Sequence, residues 1–283
     1  MQDLESRSEA MRSDIIAMIA EAGSGHPGGS LSCIDILNAL YLGGVMDHDP
    51  KDPCKRSRDR FVLAKGHAAP ALYVALAHSG YFPREELASL RKVGSRLQGH
   101  PDSNLLPGVE VSTGSLGQGL SIACGMAAGM RIEGTDATVF VLLGDGECEE
   151  GQVWEAAMFA ANQRLDNIVA IVDSNGLQID GDVDDVAGVG DLAAKFEAFG
   201  WKAERVDGHD VSALSSVLEE AKSARDGMPV VVVADTVKGK GVSFMENQAG
   251  WHGKAPSKDQ ALQALTEIGD CDTSMFGILE GGE

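Results

Sequence analysis

The sequence predicts an α/β domain: a doubly wound, mostly parallel sheet with helices on both faces. Three short apolar runs, Thr138–Leu143, Asn167–Val172 and Pro229–Ala234, lack polar alternation, as strands buried on both faces require. A helical stretch at about Gly151–Asn162 lies between the first two, where a right-handed crossover would need it. At 283 residues and 43% hydrophobic content, the chain can bury one substantial core. No Pro/Ser-rich linker, low-complexity stretch or internal repeat divides it. The reading is a single domain over residues 1–283, of which 255–283 form a C-terminal helix and tail.

The remaining elements follow in order. Residues from about Asp3 to Ala22 read as an amphipathic helix with Met11, Ile15, Met18 and Ile19 along one face. Gly23 and Gly25 stop it, and His26-Pro27-Gly28-Gly29 is expected as a rigid loop before a helix over Leu31–Tyr41. A glycine-rich turn, Ser112-Thr113-Gly114-Ser115-Leu116-Gly117-Gln118-Gly119, feeds a small-residue helix from Leu120 to Met130. Ser257–Ile268 is helix-like. Ligands in open parallel sheets bind beyond the carboxyl ends of the strands, so the loops after Leu143 and Val172 are the first places to look for chemistry.

Composition excludes several functions. A formal charge of −20 leaves nothing to neutralise a run of phosphates, which argues against non-specific nucleic-acid binding. An anionic substrate would need a locally positive site. The five cysteines, Cys33, Cys54, Cys124, Cys148 and Cys271, show no metal-ligand spacing and read as reduced thiols. Met1–Ala20 carries Asp3, Glu5, Arg7, Glu9, Arg12 and Asp14 along its length, unlike a secretory leader. No apolar run approaches the ~20 residues of a membrane-spanning helix. A cytoplasmic protein with no membrane contact is expected.

The loop after the first strand is Gly144-Asp145-Gly146-Glu147, and that after the second is Asp173-Ser174-Asn175-Gly176-Leu177. A carboxylate, an amide oxygen and a backbone carbonyl at neighbouring strand ends are hard ligands suited to Mg²⁺, which completes its shell with phosphate and water. Gly146 allows close backbone approach to a phosphate. Each piece alone is a common turn or helix cap. Asp145 and Asn175, however, lie 30 positions apart, which fits one loop, one helix and one returning strand.

Gly144-Asp145-Gly146 followed by Asn175 resembles the thiamine-diphosphate signature of transketolase-type enzymes. The resemblance implies metal ligation by Asp145, Asn175 and the Leu177 carbonyl, with Ile179 near the thiazolium ring. It places Gly144, Gly146 and the Gly114-Ser115-Leu116 turn beside the cofactor, where a helix N-terminus also favours an anion. Four histidine loops are similar to transketolase motifs: Ser24-Gly25-His26-Pro27-Gly28, Lys65-Gly66-His67, Gln98-Gly99-His100-Pro101 and Trp251-His252-Gly253. By that resemblance His26 and His252 assist proton transfer, and His100 contacts the donor's terminal hydroxyl end. His67 lies near the diphosphate, which His252 also reaches. Histidine suits proton movement near neutral pH. His48, His78 and His209 are expected to be structural, the last in the turn Val206-Asp207-Gly208-His209-Asp210.

The resemblance runs from about Glu9 to Lys254 and implies that Glu150 and Glu155 bridge to a neighbouring subunit near the cofactor's aminopyrimidine. A helix N-terminus would favour both carboxylates in any case. A full transketolase continues into a pyrimidine-binding domain and a third domain, for which the sequence holds no counterpart. The expectation is therefore the N-terminal subunit of a split transketolase. With thiamine diphosphate and Mg²⁺ it would work beside a separate C-terminal (pyrimidine-domain) subunit, most simply as an α2β2 heterotetramer. The reaction implied is transfer of a two-carbon ketol unit between sugars or sugar phosphates. The alternatives are the α chain of a 2-oxo-acid dehydrogenase, a deoxyxylulose-phosphate synthase fragment, or a degenerate scaffold. The four histidine contexts, Glu150, and the intact Asp145 and Asn175 argue against them respectively.

Overall fold

The runs at 139–144, 168–174 and 230–235 are strands, at the centre of a sheet that two further strands extend. The computed structural model describes residues 4–269 and 272–277. Its elements are α1 (Leu4–Ala22), α2 (Pro27–Tyr41), β1 (Arg60–Leu63), α3 (Ala69–His78), α4 (Gln118–Glu133), β2 (Val139–Gly144) and α5 (Gly151–Asn162). These lead into β3 (Ile168–Ser174), α6 (Val183–Val186), α7 (Leu192–Ala198), β4 (Lys202–Asp207), α8 (Val211–Ser223), β5 (Val230–Asp235) and α9 (Lys258–Ile268). The strand order is β1-β2-β3-β5-β4 and every pairing is parallel.

Side chains alternate between two cores. Phe140, Leu142, Val169, Ile171, Val230 and Val232 face the layer of α1, α2, α3, α8 and α9. Val139, Val141, Leu143, Ala170, Val172, Val231 and Val233 face that of α4, α5 and α7. Both faces of the central strands are thus dry, which explains their unbroken apolar sequence. β1 has four residues beginning with Arg60, and β4 is a largely exposed edge strand, Lys-Ala-Glu-Arg-Val-Asp. Neither carries an apolar run long enough to announce a strand. Charged side chains on β4 also discourage pairing with another sheet.

Two helix expectations need correction. α1 is not amphipathic in its middle: every residue from Met11 to Ala20 is buried, including Arg12, Ser13 and Asp14. The helix lies among neighbouring helices, so its polar residues need internal partners. Asp14 accepts Arg84 at 2.6 and 2.7 Å and pairs with His78 Nε2 at 2.7 Å, while Arg12 is bonded to Asp35. The predicted start at Asp3 and the tail beyond residue 277 lie outside the described residues, as does Cys271.

The expected His26–Gly29 loop is in fact the first turn of α2, which begins at Pro27. Proline at the first position suits a helix start, and the glycines serve packing. A Cβ on Gly28 would come within 3.0 Å of the Trp251 carbonyl, and one on Gly29 within 3.4 Å of His67 Nε2. At the start of α4, a Cβ on Gly119 would fall 2.3 Å from that of Ala64. Both helix N-termini can therefore press against the strand ends. Among the described residues no helix is long and apolar enough to cross a membrane. Cys33, Cys54, Cys124 and Cys148 are free thiols.

Asp35 knits α1, α2 and the loop after β4, since it binds Arg12 and His209 Nδ1, the latter at 2.8 Å. Burial works against its charge, yet the His209 hydrogen bond and the Arg12 charge hold its carboxyl below the usual range. Asp35→Ala would leave the Arg12 guanidinium buried without its anion. A loss of about 3 kcal/mol is expected from urea unfolding, the scale for breaking a buried pair on one side. A loss below about 1 kcal/mol would show that the pair contributes little.

Candidate functional site

A cleft opens beyond the carboxyl ends of the strands, where a parallel sheet places its ligands. The start of α2 contributes His26 and Gly29, and the turn after β1 contributes Lys65 and His67. The long α3–α4 connection supplies His100, Gly114 and Leu116. Gly144–Glu147 after β2 and Asn175, Leu177, Gln178 and Ile179 after β3 form the floor. Lys238 and His252, from the chain after β5, close the remaining side.

Beneath the floor, the fully buried Asp173 at the end of β3 binds Lys65 and Thr236 and accepts Ser32 Oγ at 2.5 Å. Asn175 Nδ2 donates to it at 3.3 Å. Burial opposes the charges of both Asp173 and Lys65, but each partner stabilises the other's ionised form. Asp145, one strand over, accepts the Gly146 and Gly176 amides at 2.8 and 2.6 Å. Burial and then the charge of Asp173 push its carboxyl up to about 6 despite those amides. Glu147 accepts the Gly117 and Gly144 amides at 3.0 and 3.1 Å, and burial pushes it up to about 7.

Three imidazoles meet over this floor. Ring centroids are 4.8 Å apart for His67 and His252, 5.4 Å for His26 and His67, and 5.6 Å for His26 and His252. Burial, then Arg91, His100 and Lys238, push His26 down to about 4. Burial, then Lys238, His26 and Lys65, push His252 down to about 3. His67 is lowered well below the ordinary imidazole value, chiefly by burial, and His100 is lowered by burial and Arg91. All four are therefore neutral near pH 7. Lys238 Nζ lies 3.0 Å from the Leu177 carbonyl and 3.1 Å from His252 Nδ1. Burial pushes it down to about 8, helped by Lys65 and resisted by Asp173 and Asp145.

The donor chemistry fits a divalent cation held beside a phosphate. Among the described residues no group of three or more His, Cys, Asp and Glu side chains could hold a metal. The set here is instead one carboxylate, one amide and one carbonyl, which Mg²⁺ uses together with phosphate and water. Asp145 is a buried carboxyl whose charge two amides and Lys65 only partly compensate, and the Leu177 carbonyl is already aimed at a cation, the Lys238 ammonium. Bare backbone at Gly146 and Gly114 keeps the cleft open, since a Cβ would meet Gln178 at 3.2 Å or His100 at 2.9 Å.

Most of the residues expected from the sequence converge here: His26, His67, His100, Gly114, Leu116, Gly144, Asp145, Gly146, Asn175, Leu177, Ile179 and His252. Ser115, Glu150 and Glu155 do not line the cleft. All three lie outside it, the last two at the start of α5. Lys65, Lys238, Glu147 and Arg91 were missed. A full hydrophilic inventory of the loop Gly144–Glu147 would have flagged Glu147, and Lys65 stands beside the Gly66-His67 pair. Nothing local marks Lys238, a lysine only 2% exposed. His78 and His209 bond to Asp14 and Asp35, away from the cleft, in keeping with a structural part.

Residues 5–280 match the family model described as transketolase, thiamine diphosphate binding domain. The chain is 42% identical to the 6-deoxy-6-sulfo-D-fructose transketolase subunit of Clostridium sp. (strain MSTE9), covering 94% of this chain and 96% of that one. It is 40% identical to an apulose-4-phosphate transketolase subunit of Actinobacillus succinogenes, covering 95% and 96%. Human transketolase is 42% identical over 95% of this chain, which spans 42% of its length. Among solved structures, transketolase from Campylobacter jejuni superposes with a TM-score of 0.89 at 33% identity, over 98% of this chain and 44% of that one. Transketolase of Pichia stipitis in complex with sedoheptulose-7-phosphate gives 0.86 at 33% identity, over 95% and 41%. The chain is thus an N-terminal, thiamine-diphosphate-binding member of the transketolase family of transferases.

Proposed function

We propose that this protein is the N-terminal subunit of a two-component transketolase, transferring a two-carbon ketol unit from an anionic ketose to an aldose acceptor. The observation that carries the reading is the cleft itself, where an Asp–Asn–carbonyl oxygen set lies beneath three mutually packed neutral histidines. That combination favours transketolase chemistry over the 2-oxo-acid dehydrogenase alternative. Asp145, Asn175 and the Leu177 carbonyl would hold Mg²⁺, and Gly146, Gly114 and His67 would flank the diphosphate. Ile179 would pack near the thiazolium. Thiamine diphosphate, when bound, supplies the carbanion stabilisation that carbon–carbon bond cleavage requires.

The chain's own residues position substrate and move protons. His26 and His252 face the cleft as neutral imidazoles, able to donate or accept at substrate hydroxyls without carrying a charge into the channel. His100, which also lines the cleft, would meet the end of the donor. Lys65 and Lys238 at the cleft add positive charge beside these contacts.

A separate pyrimidine-domain subunit completes the site. The relatives that this chain spans almost end to end are named as subunits. Glu150 and Glu155 lie exposed at the start of α5, whose Met158 and Phe159 are 56% and 46% exposed; Ile132 on α4 is 88% exposed. Such an apolar surface with carboxylates beside it fits a partner-covered face, and an α2β2 assembly would give each interface one site. The free cysteines accord with a reducing, cytoplasmic setting.

Asp145→Ala should abolish Mg²⁺-dependent thiamine diphosphate binding in the assembled enzyme while circular dichroism stays native. Unchanged affinity by calorimetry would remove Asp145 from the ligand set. His26→Ala or His252→Ala should lower turnover ~10²–10⁴-fold with much smaller effects on cofactor affinity. Near-normal steady-state rates in both variants would make these histidines structural. The purified chain, saturated with cofactor and Mg²⁺, should show no ketol transfer until the pyrimidine-domain subunit is added, when light scattering should report a heterotetramer. Full turnover by the chain alone would overturn the two-component reading.

A further inference from the structure

Arg91 is held in place at a cost. It lies in the connection between the turn at Arg84–Ser89 and His100, with φ at 57°, a left-handed conformation uncommon for a side-chain-bearing residue. Its backbone amide donates to the Leu97 carbonyl at 2.9 Å, closing the loop under it. Its Nη1 donates to Ser24 Oγ at 2.7 Å, and its Nη2 lies 3.4 Å from both the Gly99 carbonyl and His26 Nδ1. The Nε–H is buried with no hydrogen-bond partner among the described residues. A Cβ on Gly99 would come within 3.1–3.2 Å of the guanidinium, so the missing side chain lets Arg91 lie close against this backbone. Backbone strain, an unsatisfied donor and a close-packed glycine accompany one arrangement: a guanidinium edge facing Nδ1 of His26.

A guanidinium has five donors, no acceptor and no accessible neutral form. The Nδ1 beside it must therefore be the unprotonated, accepting nitrogen. The contact is long, so its weight is electrostatic: a fixed cation repels a proton from that atom. In a neutral imidazole the proton then resides on Nε2. Gly253 lies against that edge of the ring, a Cβ there being 3.4 Å from Nε2, and His26 lines the cleft. Lys238 stands in the same relation to His252, its Nζ 3.1 Å from Nδ1.

We propose that Arg91 is a positioning residue that fixes His26 as the Nε2–H tautomer, so that this histidine enters the channel as a hydrogen-bond donor. The proposal rests on the placing of His26 in the reaction channel. Burial, Arg91, His100 and Lys238 favour the neutral ring, the His67 and His252 rings lie beside it, and the N-terminus of α2 adds a positive dipole end. A ketose hydroxyl or carbonyl oxygen would thus meet an N–H at His26, and proton return would pass through the same atom.

The test is long-range proton–nitrogen NMR on the full chain labelled with ¹⁵N-histidine, with His26 identified by its absence in His26→Gln. At pH 7 the wild type should show the Nε2–H pattern for His26. Arg91→Met should yield a mixture of tautomers and raise the His26 midpoint from about 4 toward the ordinary value of about 6.5. Arg91→Gln removes the charge and should likewise yield a mixture of tautomers and a raised midpoint, whereas Arg91→Lys, which keeps the charge, should retain the Nε2–H tautomer. A wild-type His26 protonated on Nδ1 would overturn the proposal, as would an Arg91→Met spectrum unchanged in both tautomer and midpoint. If Arg91→Met does not fold, the wild-type and Arg91→Gln spectra decide. These spectra need neither cofactor nor partner, so they judge Arg91 separately from the transketolase reading, which the kinetics of His26→Ala judge.

Discussion

The buried pair between Lys65 and Asp173 ties the sheet to its ligand-binding end. Asp173 sits where β3 stops, and from there it gathers Lys65 from the turn after β1, Ser32 from α2, Thr236 beyond β5 and Asn175 from its own loop. A lone buried carboxylate would cost several kcal/mol, and a lone buried ammonium as much. Each is tolerable only because the other, with a full set of hydrogen bonds, compensates it. The geometry of four segments that border the cleft therefore follows from one electrostatic requirement. Lys65 also donates to the Gly29 carbonyl at 2.9 Å, which fixes the first turn of α2 beside His67.

The same charges divide the cleft into two chemical zones. On the floor, burial raises Asp145 and Glu147, so added positive charge is favoured there. On the walls, burial and nearby cations lower every imidazole, so an anion is favoured there. A divalent cation carrying a diphosphate would satisfy both zones together. This local arrangement lets a chain of net charge −20 accommodate the anionic ligands proposed for it: the acidic side chains lie largely on the outer surface, while Lys65 and Lys238 are buried.

Much of this was legible in the sequence. β2, β3, β5 and α5 were visible because strands dry on both faces must be apolar throughout, and because glycine and acidic residues mark the turns between them. Asp145, Asn175 and the histidines were visible because hard ligands and imidazoles stood in recognisable loops. β4 was hidden by its edge position, which lets a strand be polar, and β1 by its four-residue length. The burial of α1 on all sides was hidden because Arg12 and Asp14 look like solvent-facing residues until Asp35, His78 and Arg84 arrive from elsewhere. Lys238 and Arg91 were hidden for a related reason: their importance lies in what they face across the cleft, not in their neighbours along the chain.

The Asp173 network also bears on how the protein assembles itself. Its bonds to Ser32, Lys65 and Thr236 join residues separated by 141, 108 and 63 positions. Each of these bonds closes a large loop, whose entropy cost must be met when the bond forms. The hub beneath the cleft thus joins parts of the chain that sequence keeps far apart.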